Sequence, residues 1–268
     1  MYQNNITDKE ISIGNGMLKG KKGLIMGVAN DRSLAWNIAQ ICHREGANIM
    51  ISYQDDVFLK KVEPLASILN CEIIKCNVTN NESLTETFNQ IEQKWENIDF
   101  IVHAIAFSDK NELRGRYVDT SLDNFLNTMH VSCYSFTAVA QKASKIMTNG
   151  GSILTLTYYG SSKVIPNYNV MGVAKSALEC SVRYIANDLG DQNITVNAVS
   201  PGPVRTLASA GIGDFTKILD YTAKVSPMKR NIDAKDVGEL STFLLSDRAK
   251  NITGQIIYVD SGMSIMGI

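Results

Sequence analysis

The chain has almost no excess of either charge. Its 26 Lys and Arg stand against 27 Asp and Glu, and with 3 His the formal net charge is −1. A duplex-binding surface is basic, so nucleic acid is not the expected partner. Cysteine is sparse: Cys42, Cys71, Cys76, Cys133 and Cys180 are odd in number, scattered, and form no CxxC pair. That pattern excludes a disulfide scaffold and leaves buried free thiols in a reducing cytoplasm as the expectation. His43, His103 and His130 are dispersed and read as structural or surface residues. No His/Cys cluster has metal-ligand spacing, so no metal is expected. No apolar run reaches the ~18 residues of a membrane span, so no membrane association is expected. The opening MYQNNITDKEISIGNG is polar and acidic, without the basic and apolar regions of a secretory signal, which points to a cytoplasmic protein.

What is present is ordinary for a soluble globular chain: 268 residues, 44% apolar and 20% charged. Collagen-like and disordered classes are thereby excluded, and the length allows a full core. Residues 1–16 read as a flexible arm. From residue 17 to 268, strand-like and helix-like patterns alternate. The predicted strands are Leu24–Val28, Ile49–Tyr53, Glu72–Cys76, Phe100–His103, Ser152–Leu156, Thr195–Val199 and Gln255–Val259. Between them come helices: one carrying Leu34, Ile38 and Ile41, with Ser33 as N-cap and Gly46 as its stop, then 55–69, 81–96, 121–147, 168–189 and 234–246. Residues 206–225, after the Pro201–Pro203 turn, break this rhythm and are expected as short helices forming a substrate lid. The simplest architecture is α/β: a single doubly wound domain with a seven-stranded parallel sheet.

Ligands of such sheets bind past the carboxyl ends of the strands, where strand order reverses. The first strand runs into Gly27-Val28-Ala29-Asn30-Asp31-Arg32-Ser33-Leu34, where helix-terminal amides can face a pyrophosphate. Only one Gly occupies the place where the dinucleotide fingerprint has three, and a tight turn with no ligand reads the same way. Strand two ends in Tyr53-Gln54-Asp55-Asp56. The neutral Gln54, with no base directly following, favours NAD over NADP. Asp55 and Asp56 serve equally well as helix-start acids. The most informative stretch holds Tyr168 and Lys175, seven residues apart after strand five. Two helical turns put them on one face, where an ammonium can lower a phenol's pKa and hold ribose hydroxyls. An amphipathic helix gives the same spacing by chance.

With Tyr158 ten residues before Tyr168, Lys175 seven after it, the Gly27–Ser33 turn, Tyr53-Gln54, the segment His103–Phe107 and Val204–Ala208 after strand six, the chain resembles the bacterial NADH-dependent enoyl-[acyl-carrier-protein] reductases of the short-chain dehydrogenase/reductase superfamily. The resemblance runs from Met17 onward. Ordinary ketoreductases of that superfamily carry a Ser thirteen residues before the Tyr, where this chain has Thr155, and an Asn-Asn-Ala-Gly-like turn where it has His103-Ala104-Ile105-Ala106. Asn77, Ala104 and Ala106 replace the family's more usual Asp, Ser and Gly.

The resemblance implies a Rossmann-like fold, NADH/NAD+ as cofactor, and reduction of the trans-2 double bond of enoyl thioesters borne on acyl carrier protein in fatty acid biosynthesis. It implies that Gly27, Ser33 and Leu34 border the pyrophosphate and that Gln54 meets the adenosine end. Asn77 and Val78 would flank the adenine, and Ile105 and Ala106 the nicotinamide. Val204, Arg205, Thr206, Leu207 and Ala208 would contact the carboxamide and phosphates. Ser108 and Tyr158 would sit at the acyl substrate, Tyr158 being grouped with the catalytic residues. Tyr168 would hydrogen-bond the thioester carbonyl, and Lys175 would hold the nicotinamide ribose. A homotetramer packed through the helices near 121–147 and 168–189 is also implied. Another short-chain reductase, acting on a ketone or alcohol, and a non-catalytic dinucleotide sensor are the alternatives.

Overall fold

The computed structural model describes residues 16–206 and 215–267. The expected arm therefore lies almost wholly outside the described residues, as do Leu207, Ala208 and the first part of the expected lid. Seven strands are described: β1 (Lys22–Met26), β2 (Asn48–Tyr53), β3 (Glu72–Lys75), β4 (Phe100–His103), β5 (Gly151–Leu156), β6 (Ile194–Pro201) and β7 (Ile256–Val259). They form one parallel sheet in the order β3-β2-β1-β4-β5-β6-β7. Strand order reverses between β1 and β4, which are hydrogen-bonded neighbours in register Gly23↔Phe100 to Met26↔His103. β1 ends two residues earlier than its apolar run suggests. The run Leu24–Val28 continues past the sheet because Gly27 turns the chain at φ +98°.

The apolar runs of the central strands follow from burial on both faces. Along β1, Leu24 and Met26 belong to one core and Ile25 to the other. The first core lies under α3 (Asn81–Trp95), α5 (Ser135–Ile146) and α6 (Asn169–Leu189), with Phe88, Phe136 and Leu178 among its members. The second lies under α1 (Leu34–Arg44), α2 (Asp56–Ile68) and α8 (Ala234–Leu244), with Trp36, Val62 and Val237. Cys76 packs in the first core and Cys71 against the second, so the two thiols lie on opposite faces of the sheet. Cys180 departs from the buried-thiol expectation and is exposed.

Local signals set most helix ends. Asp55 caps α2, accepting from the amides of Val57 (2.9 Å) and Phe58 (3.1 Å); this acid is a helix cap. Gly46 is left-handed (φ +89°) just beyond α1. Two expectations are corrected. Ser33 stands at the N-cap position of α1 but makes no side-chain cap. Its Oγ instead accepts from the amides of Ala29 and Asn30, each at 3.0 Å, and so closes the turn that follows β1. The single helix expected over 121–147 is two, α4 (Leu122–Met129) and α5, joined by a π-helical turn at His130–Tyr134. Such wide turns concentrate at functional sites. Of the segment 206–225, the described part ends in α7 (Phe215–Val225). Among the described residues, no helix is long and apolar enough to cross a membrane.

Candidate active site

A cleft of about 820 Å³ opens over the carboxyl ends of β1 to β6. Its size lies within the range of small-molecule and cofactor sites. Gly27, Ser33, Leu34, Gln54, Asn77, Val78, Ile105, Ser108, Tyr158, Tyr168, Lys175, Val204 and Thr206 all line it. Those residues come from six separate strand ends, and only the fold brings them together. Arg205 is the exception: it is exposed and absent from the wall that its neighbours Val204 and Thr206 help form.

The β1 side of the cleft is made of main chain and small side chains. A Cβ on Gly27 would lie 2.1 Å from the carbonyl oxygen of Ala104. That contact and the positive φ both require glycine there. The turn leaves the start of α1 without a side-chain cap, a geometry suited to an anionic group. Gln54 is exposed at the rim, and Asn77 is held by an Asx turn, its Oδ1 accepting from the amide (3.1 Å) and hydroxyl (2.8 Å) of Thr79.

The β5 side is made of buried side chains. Tyr168 precedes α6 as its N-cap residue, between Asn167 and Asn169, both with positive φ. The shared face of Tyr168 and Lys175 therefore comes from this irregular helix start together with helical spacing. Tyr168 is 8% exposed, and its ring meets that of Tyr158 edge-on at 5.2 Å between centroids. Gly160 permits this approach, because a Cβ there would lie 2.7 Å from the Tyr168 ring. Lys175 is 6% exposed, and its Nζ donates to the carbonyl oxygen of Leu156 at 2.8 Å.

The electrostatics overturn one expectation. Burial, aided by the Glu179 carboxylate, pushes the Tyr168 phenol above its ordinary range, so the phenol stays protonated and the ammonium does not acidify it. Burial likewise raises Tyr158. Burial also pulls Lys175 down to about 8, opposed by Cys133 and Glu179.

Behind this pair, His103 is fully buried at the end of β4. Its Nε2 meets Ser135 Oγ at 2.8 Å and its Nδ1 meets Thr155 Oγ1 at 3.3 Å. Burial and the nearby Lys175 ammonium bring the imidazole down to about 3, so it is neutral in the core. Thr155, at the position of a ketoreductase serine, donates its hydroxyl to the His103 carbonyl oxygen at 2.9 Å and does not line the cleft.

Sequence reasoning missed two groups. The first is a polar ladder on α4 and the π turn. Thr128 Oγ1 donates to Ser108 Oγ (2.8 Å), Asn124 Oδ1 accepts from the Asp109 amide (3.0 Å), and Ser132 Oγ accepts from the Phe107 amide (3.0 Å). All three ladder residues are buried. They fix the loop that carries Ile105 to Ser108, so the Ser108 hydroxyl is engaged in that tether. Polar residues at every fourth position of an otherwise amphipathic helix were the available signal. The second is Glu179, whose Oε1 accepts from Thr157 Oγ1 at 2.7 Å; nothing in the local sequence marks it.

A cleft assembled in this way, with a glycine-opened turn at one end and a buried Tyr and Lys at the other, is that of a short-chain dehydrogenase/reductase. Among such oxidoreductases, the family model described as enoyl-(acyl carrier protein) reductase matches residues 27–264, and the chain belongs to that family. It is 53% identical over 253 residues to the enoyl-[acyl-carrier-protein] reductase [NADH] FabI of Rickettsia prowazekii, covering 94% of this chain and 97% of the relative. It is 54% identical over 254 residues to enoyl-[acyl-carrier-protein] reductase [NADH] 1 of Rhizobium meliloti, covering 94% and 93%. Among solved structures, the Anaplasma phagocytophilum reductase in complex with NAD superposes with a TM-score of 0.91 at 54% identity, covering 94% of this chain and 97% of that one. The Bacillus cereus reductase with NADP+ and indole naphthyridinone gives 0.93 at 47% identity, covering 94% and 99%.

Proposed function

We propose that the protein is an NADH-dependent enoyl-[acyl-carrier-protein] reductase that saturates the trans-2 double bond of enoyl thioesters in fatty acid synthesis. The observation that carries this reading is the buried Tyr168 and Lys175 in the same cleft as the Gly27 turn. The residues fit a dinucleotide. Gly27 leaves a cradle that a Cβ would fill, Ser33 and Leu34 border the α1 amide end, and Gln54, Asn77 and Val78 supply neutral walls at the far end. Ile105, Val204 and Thr206 complete the near end. The bound cofactor supplies the hydride that reduces the β-carbon.

The chain's own groups handle the charge. Reduction at the β-carbon puts negative charge on the thioester oxygen, and a donor aimed there stabilises the transition state more than the ground state. Tyr168 is such a donor because burial keeps its phenol protonated. Lys175, anchored on the Leu156 carbonyl, holds its ammonium where ribose hydroxyls can accept from it. Tyr158 walls the acyl side and packs against Tyr168. The Ser108 loop, tethered by Asn124, Thr128 and Ser132, shapes the acyl entrance. The sheet-bound Thr155 hydroxyl leaves the ketoreductase serine without a counterpart in the cleft, which supports enoyl over ketone substrates.

The reading extends to partners and setting. The protein works in the cytoplasm on substrate delivered by acyl carrier protein, and α7, whose Phe215 lines the cleft, is the described part of the substrate lid. Residues 17–268 form its catalytic domain. It assembles as a homotetramer through α4, α5 and α6, a reading supported by exposed Leu122, Leu126, Tyr134 and Tyr184 on that side. The test is NADH oxidation with crotonyl-CoA and crotonyl-carrier protein, run beside a 3-ketoacyl thioester. The enoyl substrate should be turned over faster, and a faster ketoacyl rate would displace this reading.

A further inference from the structure

Lys175 is a buried ammonium whose one hydrogen-bond acceptor among the contacts described is a neutral carbonyl. A charge withdrawn from water needs a counter-charge to stay charged. The ionisable groups around it come from three elements. His103, at the end of β4, is neutral for the reasons given above. Cys133, in the π turn, has its thiol pushed up by burial and so carries no charge at neutral pH. Tyr168, at the start of α6, stays protonated. Among the described residues, the carboxylate acting on Lys175 is that of Glu179.

Its placement is specific. Glu179 lies four residues beyond Lys175 on α6, so both side chains leave the same helix face. Lys175 bonds to Leu156, and Glu179 bonds to the next residue, Thr157. The end of β5 therefore fixes the ammonium and the carboxylate through consecutive residues, without direct ion pairing. We propose that Glu179 is a positioning residue for catalysis: seated on Thr157, on the helix face it shares with Lys175, its carboxylate is the counter-charge of the Lys175 ammonium. This inference rests on the placing of Lys175 and Tyr168 in the reaction, described above.

The test is the pH profile of kcat/KM for crotonyl-CoA at saturating NADH, with folding followed by melting temperature. In the wild type, the alkaline limb should have its midpoint near 8, as Lys175 loses its proton. Glu179→Gln keeps an acceptor for Thr157 and removes the charge. Its midpoint should fall by about one pH unit, since losing a nearby opposite charge disfavours the ammonium. At alkaline pH its kcat/KM should then be about tenfold below wild type, at pH 7 about half, and well below pH 7 the two should converge. A Gln variant with an unmoved midpoint, whether fully active or uniformly slowed, would overturn the proposal. Should that variant not fold, Thr157→Val releases the carboxylate from its seat, and a limb unmoved there would overturn it equally. Lys175→Met separates the two levels. If it retains wild-type activity, the site reading itself fails. If it is inactive while Glu179→Gln keeps the wild-type midpoint, only the role of Glu179 is refuted.

Discussion

The two ends of the cleft are built from different materials. Around Gly27, the wall is main chain: a left-handed glycine against the Ala104 carbonyl and a turn closed by Ser33. Around Tyr168, it is buried functional side chains, with Lys175 and His103 inside the protein and Glu179 behind them. The difference reflects the task. Phosphates are recognised by amides that every residue but proline possesses, so that end requires the absence of side chains. Stabilising a charge that exists only in the transition state requires particular groups held in place beforehand. Tolerance to substitution should therefore differ between the two ends.

The largest expected effect is at the side-chain end. Tyr168→Phe removes a hydroxyl and little volume, and should lower kcat by about 10²–10³ with NADH affinity unchanged; steady-state rates beside NADH titration measure this. Full speed from that variant would break the comparison. At the main-chain end, Gly27→Ala should be damaging for a different reason. A Cβ 2.1 Å from the Ala104 oxygen at φ +98° forces the turn to shift, and NADH binding should weaken by at least about tenfold, with a stability loss of about 1–2 kcal/mol from the left-handed backbone alone. Calorimetric binding and denaturant titration would register both.

Smaller effects would sharpen the contrast. Thr128→Val is nearly isosteric but loses the bond to Ser108. It should raise the thioester KM several-fold, at about 1 kcal/mol per lost hydrogen bond, and leave NADH affinity unchanged. Thr128→Ser should restore it. The smallest effect belongs to the exposed Gln54. Its replacement by Ala should change NADH affinity by no more than about threefold, since a rim group of this kind contributes about 0.5 kcal/mol. Gln54→Arg should raise use of NADPH, because a 2′-phosphate calls for a cation at that position. Parallel titrations with the two cofactors would show both.

Much of this was legible in the sequence, for physical reasons. The apolar run Phe100–His103 matches β4 to the residue and the pattern from Tyr168 to Leu189 matches α6 to within one, because both are long or strongly apolar and end at clear punctuation. The apolar run Leu24–Val28 ends two residues beyond β1, because apolar residues continue through a turn that only the positive φ of Gly27 reveals. The π turn at His130–Tyr134 escaped because one extra residue per turn leaves the apolar pattern of a helix nearly intact. Ser33 has the type and position of a cap, yet its hydroxyl serves the nearer amides of Ala29 and Asn30. The resemblance implies a contact for Arg205 beside Val204 and Thr206, but a run of motif residues does not say which of three consecutive side chains faces the cleft.

The sequence by itself determined the alternation of strands and helices, the single doubly wound sheet, and the Tyr and Lys seven residues apart, because apolar periodicity and residue type are local properties. Tertiary structure alone decided which way the acidities move. The phenol rises and the ammonium falls because water is excluded from both. The carboxylate that opposes the second of these shifts lies within reach because the end of β5 holds Leu156 and Thr157 against the same face of α6. Desolvation and the distances between charges are set only once the chain has packed.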